Sequence, residues 1–115
     1  MKEGNVMKKS EQIEINNCIM QTISDFNEYL SSHELTDPKR LRSCKAWVYR
    51  CGKYYILRSY STFIAMIDTE TDTLYDYLRW IYGYTSTSAQ HISKFEHEYC
   101  AGNWRCSERL TYYYV

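Results

Sequence analysis

The apolar residues of this chain change their spacing once, and that change limits what the chain can fold into. Between Ser10 and Leu30, Ile13, Ile15, Ile19, Ile23, Phe26 and Leu30 recur mostly every three or four positions with polar residues between them. That spacing lines one face of an α-helix. From Lys45 onward the period drops to two, as in a β-strand with one face buried. A chain that opens on an amphipathic helix and continues in strands folds as an α+β domain.

The boundaries follow from local chemistry. Ser10 is the expected helix cap, with Glu11 and Glu14 suited to the positive end of the helix dipole. Residues 31–42 read as a loop, because Asp37 precedes Pro38 and the residue before proline is disfavoured in helical geometry. Strands are expected near residues 45–50, 54–60 and 62–68, the first two joined by a turn at Cys51-Gly52-Lys53. Residues 68–73 form a polar turn, and Leu74–Ile81 reads as a fourth strand, although Leu74, Leu78 and Ile81 also fit a helix. Thr87 and Gln90 have capping-box spacing, so a helix is expected to start near Thr87. It would carry Ile92, Phe95 and Tyr99 on one face and stop at Gly102-Asn103. Residues 110–115 have strand composition and suit a sheet edge. The expected architecture is a flexible tail over residues 1–9, then one domain over 10–115. That domain has an N-terminal helix, an antiparallel sheet of three to four strands, and a C-terminal helix packed on the sheet.

Composition supports one folded domain: 115 residues, 44% hydrophobic and 24% charged. A core can form at this length without metals or disulfides. No apolar run approaches the ~18 residues of a membrane span. No hydrophobic segment follows Lys2, Lys8 and Lys9 to serve as a secretory signal, so cytoplasmic residence is expected. The five cysteines are odd in number, which rules out a complete internal disulfide framework.

Much chemistry lacks its signature. The chain contains no glycine-rich phosphate loop, dinucleotide fingerprint, paired CxxC or HExxH, so no cofactor is expected. His91, His97, Cys100 and Cys106 supply metal-ligand types, and His97 and Cys100 share one helix face. They lack the second tight pair of a structural zinc site, so no metal is expected either. No cysteine sits in a catalytic signature, and no catalytic residue is assigned. His91, just after the capping box, is placed to act as a general base or to hydrogen-bond a neighbouring strand or loop.

Charge layout says more than net charge, which is zero with 14 basic and 14 acidic residues. Between Pro38 and Tyr60 lie Lys39, Arg40, Arg42, Lys45, Arg50, Lys53 and Arg58 without an acidic residue, whereas Asp68, Glu70, Asp72 and Asp76 cluster just beyond. The chain also holds 13 tyrosines, whose rings fill β-rich cores and also serve binding surfaces. The seven cations with Tyr49 and Tyr54 are therefore the candidate binding residues, suited to stacking bases between phosphate contacts or to anchoring a protein interface.

One segment carries a resemblance. Tyr55-Ile56-Leu57-Arg58-Ser59-Tyr60-Ser61-Thr62-Phe63-Ile64-Ala65-Met66-Ile67-Asp68, followed by Tyr82-Gly83-Tyr84-Thr85-Ser86-Thr87-Ser88-Ala89-Gln90-His91-Ile92-Ser93-Lys94-Phe95, resembles a family of small proteins encoded by phages and prophages of Firmicutes. That family pairs an SY-x-T-x-(V/I)-A strand with a Y-S-x-T-(T/S)-x-x-H-I-x-x-F helix start. The likeness covers roughly residues 54–95, with a one-residue difference in the hydroxyl-rich turn. It implies a phage setting rather than a chemistry. Small phage proteins without catalytic apparatus often obstruct a host protein, and anti-CRISPR proteins are a prominent class of that kind. The expectation is a non-enzymatic inhibitor that binds a host defence nuclease, such as a Cas effector or its nucleic-acid complex. The alternative is a nucleic-acid-binding accessory protein that uses the basic, tyrosine-rich hairpin. The neutral total charge argues against a simple DNA mimic.

Overall fold

The computed structural model describes residues 7–42, 44–83, 85–102 and 104–113. The first helix, α1, spans Lys9–Leu30. It starts before Ser10 because Glu11 reaches back and accepts the Lys8 backbone N–H at 3.2 Å, so Lys8 is the cap. Of the tail expected over residues 1–9, residues 1–6 lie outside the described residues, and Lys9 is already helical. Ile19 and Phe26 are buried with Ile15, Ile23 and Leu30 beside them, whereas Ile13 faces solvent.

Among the described residues the sheet has six strands, not three to four, in the order of the chain. They are β1 (Thr36–Arg40), β2 (Ala46–Cys51), β3 (Tyr54–Ser59), β4 (Thr62–Asp68), β5 (Thr73–Asp76) and β6 (Glu108–Thr111). Neighbours run antiparallel as far as β5, and β6 lies parallel to β5. The segment expected to be a loop contains β1. Proline cannot donate to a ladder, and this one is tolerated because β1 is an exposed edge whose register slips between Thr36 and Lys39. Asp37 there has a φ of 48°. At the other edge β6 covers only the start of the expected 110–115 strand, and residues 114 and 115 lie outside the described residues.

Between β5 and β6 the chain crosses through two helices, α2 (Leu78–Tyr82) and α3 (Ser86–Tyr99), as a parallel strand pair requires. The expected fourth strand thus divides: residues 73–76 pair with β4, and Leu78–Ile81 coil into α2. Asp76 causes the break by accepting the Leu78 N–H at 3.1 Å, which turns the backbone out of the ladder. Helix α3 is capped by Thr85, which accepts from Ser88 N at 3.3 Å, so the cap lies two residues before Thr87. It ends at Tyr99 with Cys100 as its C-cap; of the expected Gly102-Asn103 stop, Asn103 lies outside the described residues.

The two long helices cover opposite faces of the sheet. Ile92 and Phe95 of α3, both fully buried, pack on Val48, Leu57, Ala65, Ile67 and Leu74. Ile19 and Phe26 of α1 pack on Tyr54, Ile56, Met66 and Tyr77. Strand β4 lies between both cores, which is why Ile64–Asp68 are buried without alternation. A bulge opposite Leu57 and Arg58 adds Ile64 to the α3-side core and leaves Phe63 on the α1 side. The β2–β3 turn needs Gly52 for two reasons: its φ is 55°, and a Cβ there would lie 1.9 Å from the Tyr29 hydroxyl. Among the described residues no helix is long and apolar enough to cross a membrane.

Candidate functional site

Strand alternation divides the basic segment between the two faces of the sheet. Lys39 pairs with Val48 in register, so Lys39 and Arg50 stand on the α3 side, where the Arg50 guanidinium lies 4.5 Å from the centre of the Tyr55 ring. Arg42, in the left-handed region with φ 55°, pairs with Glu98 of α3. Lys45 is exposed just before β2. Lys53 lies 3.6 Å from Asp68 and 3.7 Å from Glu70, which offset its charge. Tyr54 is only 6% exposed and packs edge-on against Phe26 and Tyr29, so its ring belongs to the core. Burial pushes its hydroxyl pKa up. The seven cations therefore do not form one surface.

What does assemble, on the α1 side, is a row across four strands. Register places Arg40 of β1 opposite Trp47 of β2, Trp47 opposite Arg58 of β3, and Arg58 opposite Phe63 of β4. Cation and aromatic alternate along the row. The Arg58 guanidinium stands 4.7 Å from the centre of the Trp47 ring and 5.5 Å from that of Tyr49, and Tyr49 meets Phe63 edge-on at 5.6 Å. Among the described residues no carboxylate pairs with Arg58, and its Nε is buried without a hydrogen-bond partner. A buried N–H without an acceptor costs about 1–3 kcal/mol. The rings hold the cation in place without neutralising it.

Phe63 also lines a groove of about 220 Å³ between α1 and α2, walled by Ile23, Leu30, Leu35 and Ile81 and floored by Ile56. Ile81, Leu35 and Phe63 are each at least 36% exposed. Phe63 joins the row to this groove. Comparison of the chain with family models, with curated proteins and with solved structures finds no match.

The residues considered for catalysis or metal binding take other roles. His91 is 4% exposed, with Nδ1 2.8 Å from Ser59 Oγ, which in turn lies 3.0 Å from Ser88 Oγ. This buried trio ties α3 to the end of β3. Burial, with Lys94 nearby, lowers the His91 pKa. His97 stacks on Trp104 at 4.1 Å, Cys100 lies 3.9 Å from the His97 carbonyl, and Cys106 is buried with its thiol pKa raised to about 12 by burial. Among the described residues no group of three or more His, Cys, Asp or Glu is placed to hold a metal ion.

Sequence reasoning reached Arg40, Arg58 and Tyr49 but passed over Trp47 and Phe63. A signal for the row was present: a two-residue turn at Gly52-Lys53 pairs Cys51 with Tyr54, and counting back from there sets Trp47 against Arg58.

Proposed function

We propose that this protein is a non-enzymatic binding protein of a phage or mobile element. It inhibits a host defence nuclease, a CRISPR-Cas effector, by stoichiometric attachment through the Arg40–Trp47–Arg58–Phe63 row and the adjoining groove. It needs no cofactor and works in the cytoplasm of a bacterial host. The single observation behind this reading is Arg58, wedged between Trp47 and Tyr49 with no carboxylate partner among the described residues. Tryptophan, tyrosine and arginine dominate the residues that carry binding energy at protein interfaces, most of all where water is excluded. An arginine already ordered by its neighbours loses little side-chain entropy when it meets a carboxylate or carbonyl on a partner. The phage setting and the class of partner rest on the resemblance of residues 54–95.

The test is co-purification with the Cas effector of a host strain, before and after nuclease treatment. The complex is expected to survive nuclease and to be lost with Arg58→Glu, while the circular dichroism spectrum stays unchanged. Attachment that disappears with nuclease, or that Arg58→Glu leaves intact, refutes the reading.

A further inference from the structure

A second surface lies on the opposite face, where α3 meets the loop leading into β6. An open cleft of about 580 Å³ there is lined by Arg42, Lys94, Arg105 and Arg109, together with His97 and Trp104. Glu96, the carboxylate that lines it, is already engaged, as are Asp76 and Glu98, which pair with two of its arginines. Glu96 accepts from Arg109 at 2.9 Å and from Cys106 N at 3.0 Å, Asp76 accepts from Arg109 at 3.1 Å, and Glu98 pairs with Arg42. Lys94 and Arg105 have no carboxylate partner among the described residues, and the nearest polar contact of Lys94 Nζ is Cys44 Sγ at 3.1 Å.

The loop that presents Trp104 and Arg105 is pinned at both ends. Asp72 accepts from Ala101 N at 3.0 Å, Ser107 N at 2.7 Å and Ser107 Oγ at 2.9 Å, while Glu96 holds Cys106 N. Trp104 between these anchors is 68% exposed and has a φ of 75°, a left-handed conformation that is costly for a residue with a large side chain. Core packing does not explain the ring, because one face lies on His97 and the rest meets solvent. A large aromatic held in a strained backbone by inward-turned carboxylates is an arrangement that binding sites tolerate. Flat rings beside cations accept a base by stacking and its phosphate by charge.

We infer that this cleft binds a nucleotide unit, with the base stacked on Trp104 and the phosphate held by Lys94 and Arg105. The unit is a free nucleotide or one member of a single strand. This site is independent of the Arg58 row and does not rest on the partner proposed for it.

The test is fluorescence anisotropy of a labelled short oligothymidylate titrated with the protein, with adenosine monophosphate and inorganic phosphate as competitors. Saturable binding that weakens as salt rises is expected. Lys94→Glu with Arg105→Glu should weaken it at least about tenfold, since reversed charges repel the phosphate. Trp104→Gly, which suits the left-handed backbone and so preserves the fold, should weaken it about five- to 150-fold, the worth of one stacked base. Arg58→Glu, on the other face, should leave it unchanged. Competition by adenosine monophosphate as well as by unlabelled oligothymidylate assigns the site to a free nucleotide, competition by the unlabelled strand alone assigns it to a strand, and either supports the site. No binding at low salt, full competition by phosphate alone, or unchanged binding by the Trp104 and Lys94/Arg105 variants overturns it.

Discussion

Asn16 lies on the buried side of α1, 4% exposed, where the helical pattern calls for an apolar residue. Its amide faces the chain 97 positions on, donating to the Tyr113 carbonyl at 2.7 Å and accepting the Tyr113 N–H at 2.7 Å. A carboxamide offers one donor and one acceptor in a plane, as a peptide group does, so it completes the end of β6 as another strand would. Asn16→Ala removes two hydrogen bonds worth about 1 kcal/mol each and leaves two partly buried backbone groups short of partners. Because Tyr113 is half-exposed, water recovers part of that loss, and the net cost should be about 2–3 kcal/mol. For a domain of this size the thermal midpoint should fall by about 8–12 °C. The assay is thermal and urea unfolding followed by circular dichroism, with amide exchange at Tyr113 as the local readout. Asn16→Asp adds a sign check. It keeps the acceptor but sets a carboxylate against the Tyr113 carbonyl, which raises its folded pKa above the unfolded value. Its stability should therefore be better at low pH and decline as pH rises through the folded pKa. A cost below about 0.5 kcal/mol for Asn16→Ala, with Tyr113 N–H unprotected in the parent, would refute the grip.

Three further outcomes are expected. Phe95 is fully buried in the α3-side core, so Phe95→Ala should cost about 3–5 kcal/mol by urea unfolding, and a loss under about 1 kcal/mol would contradict that packing. The Asp72 carboxyl is held below its ordinary value of 3.8 by the Ala101 N–H, against a smaller opposing effect of burial and with help from Ser107. Its stabilisation is present above the ordinary value and is lost as pH falls through the lowered one, so the Ala101 and Ser107 amide resonances should titrate with a midpoint below 3.8; a midpoint above it contradicts the clamp. Cys106, with its thiol pushed up to about 12, should resist iodoacetamide at pH 8 while exposed Cys18 reacts, and peptide mass mapping that finds equal labelling would count against its burial.

The parts of the fold that were legible in the sequence are those in which one short segment holds the whole signal. The three- and four-residue spacing of α1, the hairpin around Gly52 and the Ile92/Phe95 anchors all qualify. Strand β1 was hidden because Pro38 argues against a ladder unless the strand is known to be an edge. The break after β5 was hidden because Leu74, Leu78 and Ile81 suit both periods, and an aspartate hydrogen bond decides between them. At the candidate site the seven cations read as one patch only when the chain is treated as a line. Folding sends Arg58 to one side of the sheet and Lys39 and Arg50 to the other. Of the cleft beside α3, sequence reasoning reached Arg42, His97 and Cys106 separately but not their meeting with Lys94, Trp104 and Arg105, which the α2–α3 crossover brings about.

The proposal that the Arg58 row attaches to a Cas effector is tested most directly by titrating that effector's nuclease activity with this protein at effector concentrations well above the dissociation constant. Stoichiometric attachment predicts a straight decline to an end point at one equivalent, and a loss of that end point with Arg58→Glu. Inhibition complete at a small fraction of an equivalent, or an unchanged end point with Arg58→Glu, would contradict it.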